Sequence, residues 1–519
     1  MSMRRQLAEL LVVRASGYQL DQQRRYPQWE ASNANLRRWL DQGVGGVILL
    51  GGSAADLALR CRQLQQWAPQ PLLLCADVEE GIGQRFEGAS WLVPPMALGN
   101  LWQRDAALAE SLASAYGRCS ALEARALGLN WVLGPVCDVN NNPANPVINV
   151  RAWGETSAAA AALSSAFVRG LEAEGVLGCA KHFPGHGDTA SDSHLELPLI
   201  PHGRERLEAV ELPPFRAAIN AGVAAVMTAH LLLPALDQER PATLSAAVLD
   251  GLLRRELGFN GLVVTDALVM EAITARYGAG EAAALAFEAG ADLILMPADV
   301  EAALDALEAG FSSGRWPQER LQQSLERRRA ALARTSATPA SAQERLDQLA
   351  QLMPEHQRLA KQLLELSLEF QGPARLQGPG LNLIRVDNSL NCPALPIKAP
   401  ALLRPSRVGF RTQLIDDQSG PLQLGEEPVL LQLLLRGNPF RGGGAGHNRW
   451  RELVEQLLKQ QRLAGLVIYG SPYLWRELQP LLPAEIPAVY SPGQMPAAQA
   501  LALERLGLGD APGEGGFTD

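Results

Sequence analysis

The chain has 519 residues, 47% of them hydrophobic and 19% charged, with 55 acidic against 46 basic side chains and a formal charge of −9. At roughly 150 residues per domain this length predicts two to four domains, one of them with room to be a barrel of about 250–350 residues. The balance excludes a mainly disordered chain, a coiled coil and a collagen-like fibre. No basic run interleaved with aromatics offers a nucleic-acid surface, and no apolar run approaches the ~18 residues of a membrane span.

The amino terminus, MSMRRQLAELLVV, carries two arginines, but a glutamate breaks its apolar stretch and no signal-peptide core is formed. Eight short apolar runs occur before residue 300, at 10–13, 45–50, 71–77, 129–135, 175–183, 222–230, 261–268 and 291–297. Most are continuously apolar, as expected of strands covered by helices on one face and by a barrel core on the other. Alanine- and leucine-rich segments suited to helices lie between them, and glycine repeatedly precedes the next strand, where it can end a helix. Eight strands with intervening helices predict a (β/α)8 TIM-like barrel, although an open doubly wound sheet would also explain the local pattern. A helical region follows from about residue 300 to 365, in which the alternating charges of QERLQQSLERRRAALAR read as a solvated face. Beyond residue 370 the sequence is punctuated by proline and glycine. Candidate strands lie at 428–435, 463–475 and 486–493, with a helix over 449–465. The predicted organisation is a catalytic barrel over 1–335, a helical linker over 336–369 and a smaller α/β domain over 370–519.

The six cysteines, at 61, 75, 119, 137, 179 and 392, show no CxxC pair and no metal-like spacing, so they read as small buried hydrophobes. No dinucleotide or phosphate-binding glycine loop is present in the right context, and no cofactor is expected.

Chemistry in such a barrel belongs at the carboxyl ends of the strands. The predicted strands end there with Asp77, Asp138, Lys181 and His182, His230 and Asp266, while Arg151 follows the loop after strand four. Carboxylates accept hydrogen bonds from vicinal sugar hydroxyls, and Arg and Lys donate to sugar oxygens or hold acidic neighbours ionised. Trp153 is suited either to stacking on a sugar or to packing the loop. The densest signal is KHFPGHGDTASDSH, 181–194, and four of the seven histidines fall within 21 residues there. Its spacing does not match H-E-x-x-H, and glycine and proline interrupt any helix that could present two metal ligands. If the segment is extended, Asp192 and His194 point the same way, and the carboxylate can orient an imidazolium for proton transfer. The alternative is that Asp192 only caps a turn. Asp266, ending an apolar strand, is costly unless it meets a hydrated site or partners. Nucleophile, substrate hydrogen bonder and structural aspartate all remain open on chemistry alone.

KHFPGHGDTASDSH, GVAAVMTAH, PATLSAAVLDGLLRRELGFNGLVVTDALVM and NPVINVRAWGE together resemble glycoside hydrolase family 3, and specifically its bacterial β-N-acetylglucosaminidase branch, over about residues 5–330. The resemblance implies a TIM-like barrel that cleaves terminal β-linked sugars with retention. Asp266 would be the nucleophile, and Asp77, Arg151, Lys181, His182 and His230 would hold the sugar. His194, paired with Asp192, would be the acid/base on a flexible loop. The implied substrates are GlcNAc-terminated muropeptide or chitooligosaccharide fragments, with no metal or organic cofactor. A cytoplasmic location would suit peptidoglycan recycling. Three positions depart from the family pattern: Glu80 and Ile82 in DVEEGIGQR, and Ala267 after Asp266. The competing readings are a family 3 β-glucosidase, an enzyme transferring the sugar to phosphate, and a non-catalytic carbohydrate-binding barrel. The resemblance gives no oligomeric state.

Overall fold

The computed structural model describes residues 2–189, 197–338, 341–373, 375–376, 378–390, 392–420, 422, 424–436 and 447–509. The chain divides into two compact units with the boundary between Leu359 and Ala360.

The barrel of the first unit is built from eight parallel strands, each inside one of the eight apolar runs or overlapping its end: β1 Leu11–Ala15, β2 Gly46–Leu49, β3 Leu73–Ala76, β4 Trp131–Val132, β5 Cys179–Phe183, β6 Ala225–Thr228, β7 Leu262–Val264 and β8 Ile294–Leu295; a short parallel pair, Gly52–Ser53 with Phe86–Glu87, lies beside it in sequence but outside these runs. Ladders join β8 to β1, β1 to β2, β2 to β3, β3 to β4, β5 to β6 and β6 to β7. Two further seams complete the ring. Val132 N–H donates to Leu177 and Cys179 N–H to Gly134 between β4 and β5, while Thr265 N–H donates to Leu293 between β7 and β8. The sheet therefore curls into a closed barrel, and the open-sheet alternative falls. Almost every strand residue is buried because helices cover the outer face.

The helices begin and end where side-chain chemistry dictates. Asp105 accepts from Leu108 N–H to start Ala106–Leu127, and Thr156 accepts from Ala159 N–H to start Ser157–Glu172. Ala106–Leu127 stops at Gly128, whose φ of +99° is accessible to glycine without steric cost. These two helices pack closely because of small residues. A Cβ on Gly117 would lie 2.2 Å from the Phe167 carbonyl, and one on Gly170 would lie 2.0 Å from that of Ser114.

The helix Ala342–Ser367 is tied to the barrel by its first turns. Arg345 donates to the carbonyls of Ala58 and Leu127, and buried His356 Nδ1 lies 2.7 Å from Glu123 Oε1. The second Glu123 oxygen accepts from Ser90 N–H, so the fully buried carboxylate has a partner on each side.

The second unit is a six-stranded sheet of β9 Glu369–Gln371, β10 Gly380–Arg385, β11 Phe410–Ile415, β12 Val429–Leu435, β13 Leu463–Gly470 and β14 Ala488–Ser491. The order is β9-β14-β13-β12-β10-β11, antiparallel only at β9–β14. Three of its strands, β9, β10 and β11, lie outside the predicted segments. Its core is aliphatic around Leu431, Leu466 and Ile468, and Trp475 stacks on Tyr490 at 6.0 Å.

Candidate active site

The carboxyl ends of β3, β4, β5 and β7 bring most of the expected residues to one mouth of the barrel. Lys181, within β5, extends its Nζ to 2.8 Å from Asp77 Oδ1 and 2.7 Å from Glu79 Oε1. Arg151, in the loop after β4, grips both Glu79 oxygens, with Nε at 2.7 Å and Nη2 at 2.8 Å. Its remaining nitrogen donates to Val147 O at 2.9 Å. Glu79 is thus the hub of this half of the site. Burial pushes its carboxyl up, but Arg151 and Lys181 outweigh burial and hold it well below the usual carboxylate range. Burial likewise lowers Lys181, and Asp77 with Glu79 more than reverse it. Both cations and Glu79 therefore stay charged near neutral pH. The Asp77 side chain keeps 33% of its surface exposed, which leaves it able to accept from a ligand hydroxyl.

Asp138, fully buried after β4, organises the next group. Its carboxylate accepts from His186 N–H at 2.7 Å and His182 N–H at 3.2 Å, and His182 Nδ1 lies 2.7 Å away. Burial favours the neutral acid, yet the two histidines hold the Asp138 carboxyl below its ordinary value. With Nδ1 committed to Asp138, Nε2 is left on the opposite side of the His182 ring. His186 behaves differently: its Nδ1 meets Thr189 Oγ1 at 2.9 Å, and burial pushes it down to about 4 against the pull of Asp138. It is neutral at pH 7. Asn145 stitches this loop to its neighbour, donating to the carbonyls of His186 and Gly187 at 2.9 Å and accepting from Val147 and Ile148 N–H at 2.8 Å. Asp192 and His194 lie outside the described residues.

Asp266 follows β7 and is half-buried. Its Oδ1 accepts from Ala267 N–H at 2.7 Å, and its own N–H points to Thr228 Oγ1 at 3.4 Å. Alanine at 267 thus serves the site through its backbone, which any side chain there would leave in place. His230, expected on the sugar, is fully buried, and both ring nitrogens meet protein: Nδ1 with Thr243 Oγ1 at 2.8 Å and Nε2 with Ala267 O at 3.1 Å.

The other departures are absorbed by packing. Glu80 is buried and accepts from Trp91 Nε1 at 3.0 Å, and Ile82 is fully buried. Trp153 packs rather than stacks on a ligand, since it is buried between Tyr116 and Phe167 with centroids 5.5 and 5.4 Å away. Sequence reasoning missed Glu79, Asn145 and Thr243. The one available signal was an acidic residue two positions after Asp77, on the same face if the strand direction continues. Among the described residues, the one group that could hold a metal is Cys119, Glu123 and His356, away from this mouth and already satisfied by the Glu123–His356 pair.

Residues 2–330 match the family model of the glycosyl hydrolase family 3 N-terminal domain, and residues 375–507 match that of the bacterial glycosyl hydrolase family 3 C-terminal domain. The chain belongs to glycoside hydrolase family 3. It is similar to a solved family 3 β-N-acetylglucosaminidase from Paenibacillus sp., with a TM-score of 0.79 and 33% identity over 98% of each chain. Among curated relatives, the β-hexosaminidase A of Pseudoalteromonas piscicida is 35% identical over 62% of this chain and 58% of its own length. A β-hexosaminidase of Neisseria meningitidis serogroup C is 39% identical over 50% of this chain and 73% of its own length. The chain thus spans little more than half of the first of these relatives. Family 3 membership fits the barrel and the second α/β unit together. No helix among the described residues is long and apolar enough to cross a membrane.

Proposed function

We propose that this family 3 protein is a retaining exo-glycosidase that releases terminal β-linked N-acetylglucosamine, acting on muropeptide or chitooligosaccharide fragments. The observation that carries the reading is the pairing of two halves at one barrel mouth. A charge-locked Asp77–Lys181–Glu79–Arg151 cluster comes from β5 and from the segments after β3 and β4, and Asp266, oriented by Ala267 N–H, follows β7.

In this mechanism Asp77, Arg151, Lys181 and His182 hold the sugar hydroxyls. His194, charge-stabilised by Asp192, protonates the departing glycosidic oxygen as Asp266 attacks the anomeric carbon. A glycosyl-enzyme forms, and the aglycone leaves with the proton. Neutral His194 then takes a proton from water, which displaces Asp266 and restores the β-configured product. The His194 and Asp192 roles are supported by the D-S-H sequence and by the similarity to β-N-acetylglucosaminidases. A cytoplasmic role in peptidoglycan recycling is consistent with six cysteines that form no disulfide.

The test is turnover of para-nitrophenyl β-N-acetylglucosaminide and the matching β-glucoside, with Asp266→Ala as control and products compared with and without phosphate. Preferential release from the N-acetyl substrate, abolished by Asp266→Ala, supports the reading. Equal or better use of the glucoside overturns the substrate class, and a sugar phosphate product overturns hydrolysis.

A further inference from the structure

The geometry around Ala267 points to a positioning residue that lies outside the sugar-binding cluster. Thr243 sits in the turn Ala242–Leu244, fully buried, with three partners around one hydroxyl. Its Oγ1 lies 2.9 Å from Ala229 O, 2.8 Å from Thr228 Oγ1 and 2.8 Å from His230 Nδ1. A hydroxyl has one proton and two lone pairs: with Nε2 as the protonated nitrogen of His230, the Thr243 proton is shared between two acceptors, Ala229 O and His230 Nδ1, and a lone pair accepts from Thr228 Oγ1. On the far side of the imidazole, Ala267 O can only accept, so His230 Nε2 carries the proton towards it at 3.1 Å. The same residue's N–H holds Asp266 Oδ1 at 2.7 Å. The Ala267 main chain is therefore gripped at both its polar groups, by His230 at the carbonyl and by the Asp266 carboxylate at the N–H. A second branch reaches the same place, since Thr228 Oγ1 faces both Thr243 and the Asp266 N–H.

We propose that Thr243 is a positioning residue for the nucleophile, its hydroxyl fixing the His230 ring that anchors Ala267 and so aims the Asp266 carboxylate at the anomeric carbon. The inference rests on Asp266 being the nucleophile. It gives His230 a role through the backbone of the nucleophile loop instead of through the sugar. Removing the hydroxyl while keeping its volume, as in Thr243→Val, leaves Nδ1 facing a methyl group in a fully buried site. The ring then no longer has a single favoured orientation, and the Ala267 carbonyl keeps only the Met270 N–H, at 3.1 Å, as a fixed donor. The sugar-binding cluster comes from β5 and from the segments after β3 and β4, apart from this network, so ground-state binding is spared.

The experiment follows the attack itself. The full chain, Thr243→Val and Thr243→Ser are treated with a 5-fluoro N-acetylglucosaminyl fluoride, whose leaving group needs little help from an acid. Labelling is followed by intact mass, and the labelled residue is located by peptide mapping. At saturating reagent Thr243→Val is expected to label Asp266 about 10- to 100-fold more slowly, since misplacement by ~1 Å costs up to about 100-fold. Half-saturation should stay within about threefold, which places the loss in the chemical step. Thr243→Ser, which restores the hydroxyl, should return to within about threefold of the parent rate. Labelling of Thr243→Val at the parent rate overturns the proposal, as does a loss confined to half-saturation. Equal slowing in Thr243→Ser also overturns it, because the hydroxyl would not be the cause. If the parent chain labels a different carboxylate or none, the nucleophile reading itself fails, and that result is distinct from any of these.

Discussion

Glu79→Gln tests the idea that a carboxylate touching no reacting atom holds half of the site together. The substitution keeps the shape and removes the charge between Arg151 and Lys181, whose side chains are 14% and 2% exposed around a Glu79 that is 5% exposed. Breaking a buried ion pair by removing one partner costs about 3–5 kcal/mol. The amide retains one oxygen for Arg151, and Lys181 retains Asp77 at 2.8 Å. The expected loss is accordingly nearer ~2 kcal/mol. With an unfolding entropy of about 2.1 cal/mol/K per residue over a unit ending at residue 359, that corresponds to a fall in Tm of about 3 °C. Activity should suffer more than stability, because the two cations proposed to hold the sugar lose their common anchor; a drop in kcat/KM of about 100-fold is expected. The pH dependence gives an independent reading. Glu79 is depressed in the folded state, so its stabilisation is complete above the ordinary value of 4.5 and is lost as pH falls below it towards the folded value. The parent protein should lose stability more steeply than Glu79→Gln below pH 4.5. Calorimetry from pH 3 to 7 and para-nitrophenyl glycoside kinetics measure both. A variant with unchanged Tm, unchanged acid slope and kcat/KM within about twofold of the parent would refute the reasoning.

His186 acts in a different pH window. Burial lowers it from 6.5 to about 4, so the unfolded chain takes up the proton first. Stability should fall as pH drops from 6.5 to 4, by on the order of 3 kcal/mol. Urea unfolding at pH 7 and pH 5 should show the loss in the parent protein and little of it in His186→Gln. Gly187→Ala should strike the same loop sterically, because its Cβ would stand 1.7 Å from the Val139 carbonyl oxygen, a backbone atom that cannot turn aside. A destabilisation of about 1–3 kcal/mol with a marked loss of kcat is expected; parent-like kinetics would show that the loop can move freely.

The barrel was legible because its strands are buried on both faces, and continuous apolar runs such as 45–50 and 222–230 have few other uses. The second unit was harder to read for the opposite reason. In β10, Asn382 is fully buried but spends its amide on Ala401 O and Thr412 Oγ1 while accepting from Gln432, so a core strand reads as polar. β11 lies at the sheet edge, and only its two end residues, Phe410 and Ile415, are buried. In the site, the sequence pointed to residues at strand ends, since position along a strand is local information. It could not reveal Glu79 as a hub, because that role comes from Arg151 and Lys181 arriving from two other segments. Nor could it separate a histidine with one ring nitrogen on a buried carboxylate from one with both ring nitrogens against protein groups. His182 lies near the end of one apolar strand and His230 just after another, and only the tertiary partners Asp138, Thr243 and Ala267 distinguish them.

The Glu123–His356 pair determines where the catalytic half of this molecule can be cut. The matched family domain ends at residue 330, a natural place to divide the chain by strand count. A polypeptide ending there would complete all eight strands yet strand the Glu123 carboxylate in the interior without its imidazole, and would remove Arg345 from the carbonyls of Ala58 and Leu127. A buried carboxyl group left with Ser90 N–H as its remaining partner weighs on a fold whose whole margin is typically ~5–15 kcal/mol. The smallest self-sufficient barrel therefore runs past residue 356, and the linker helix is as much a part of it as any strand.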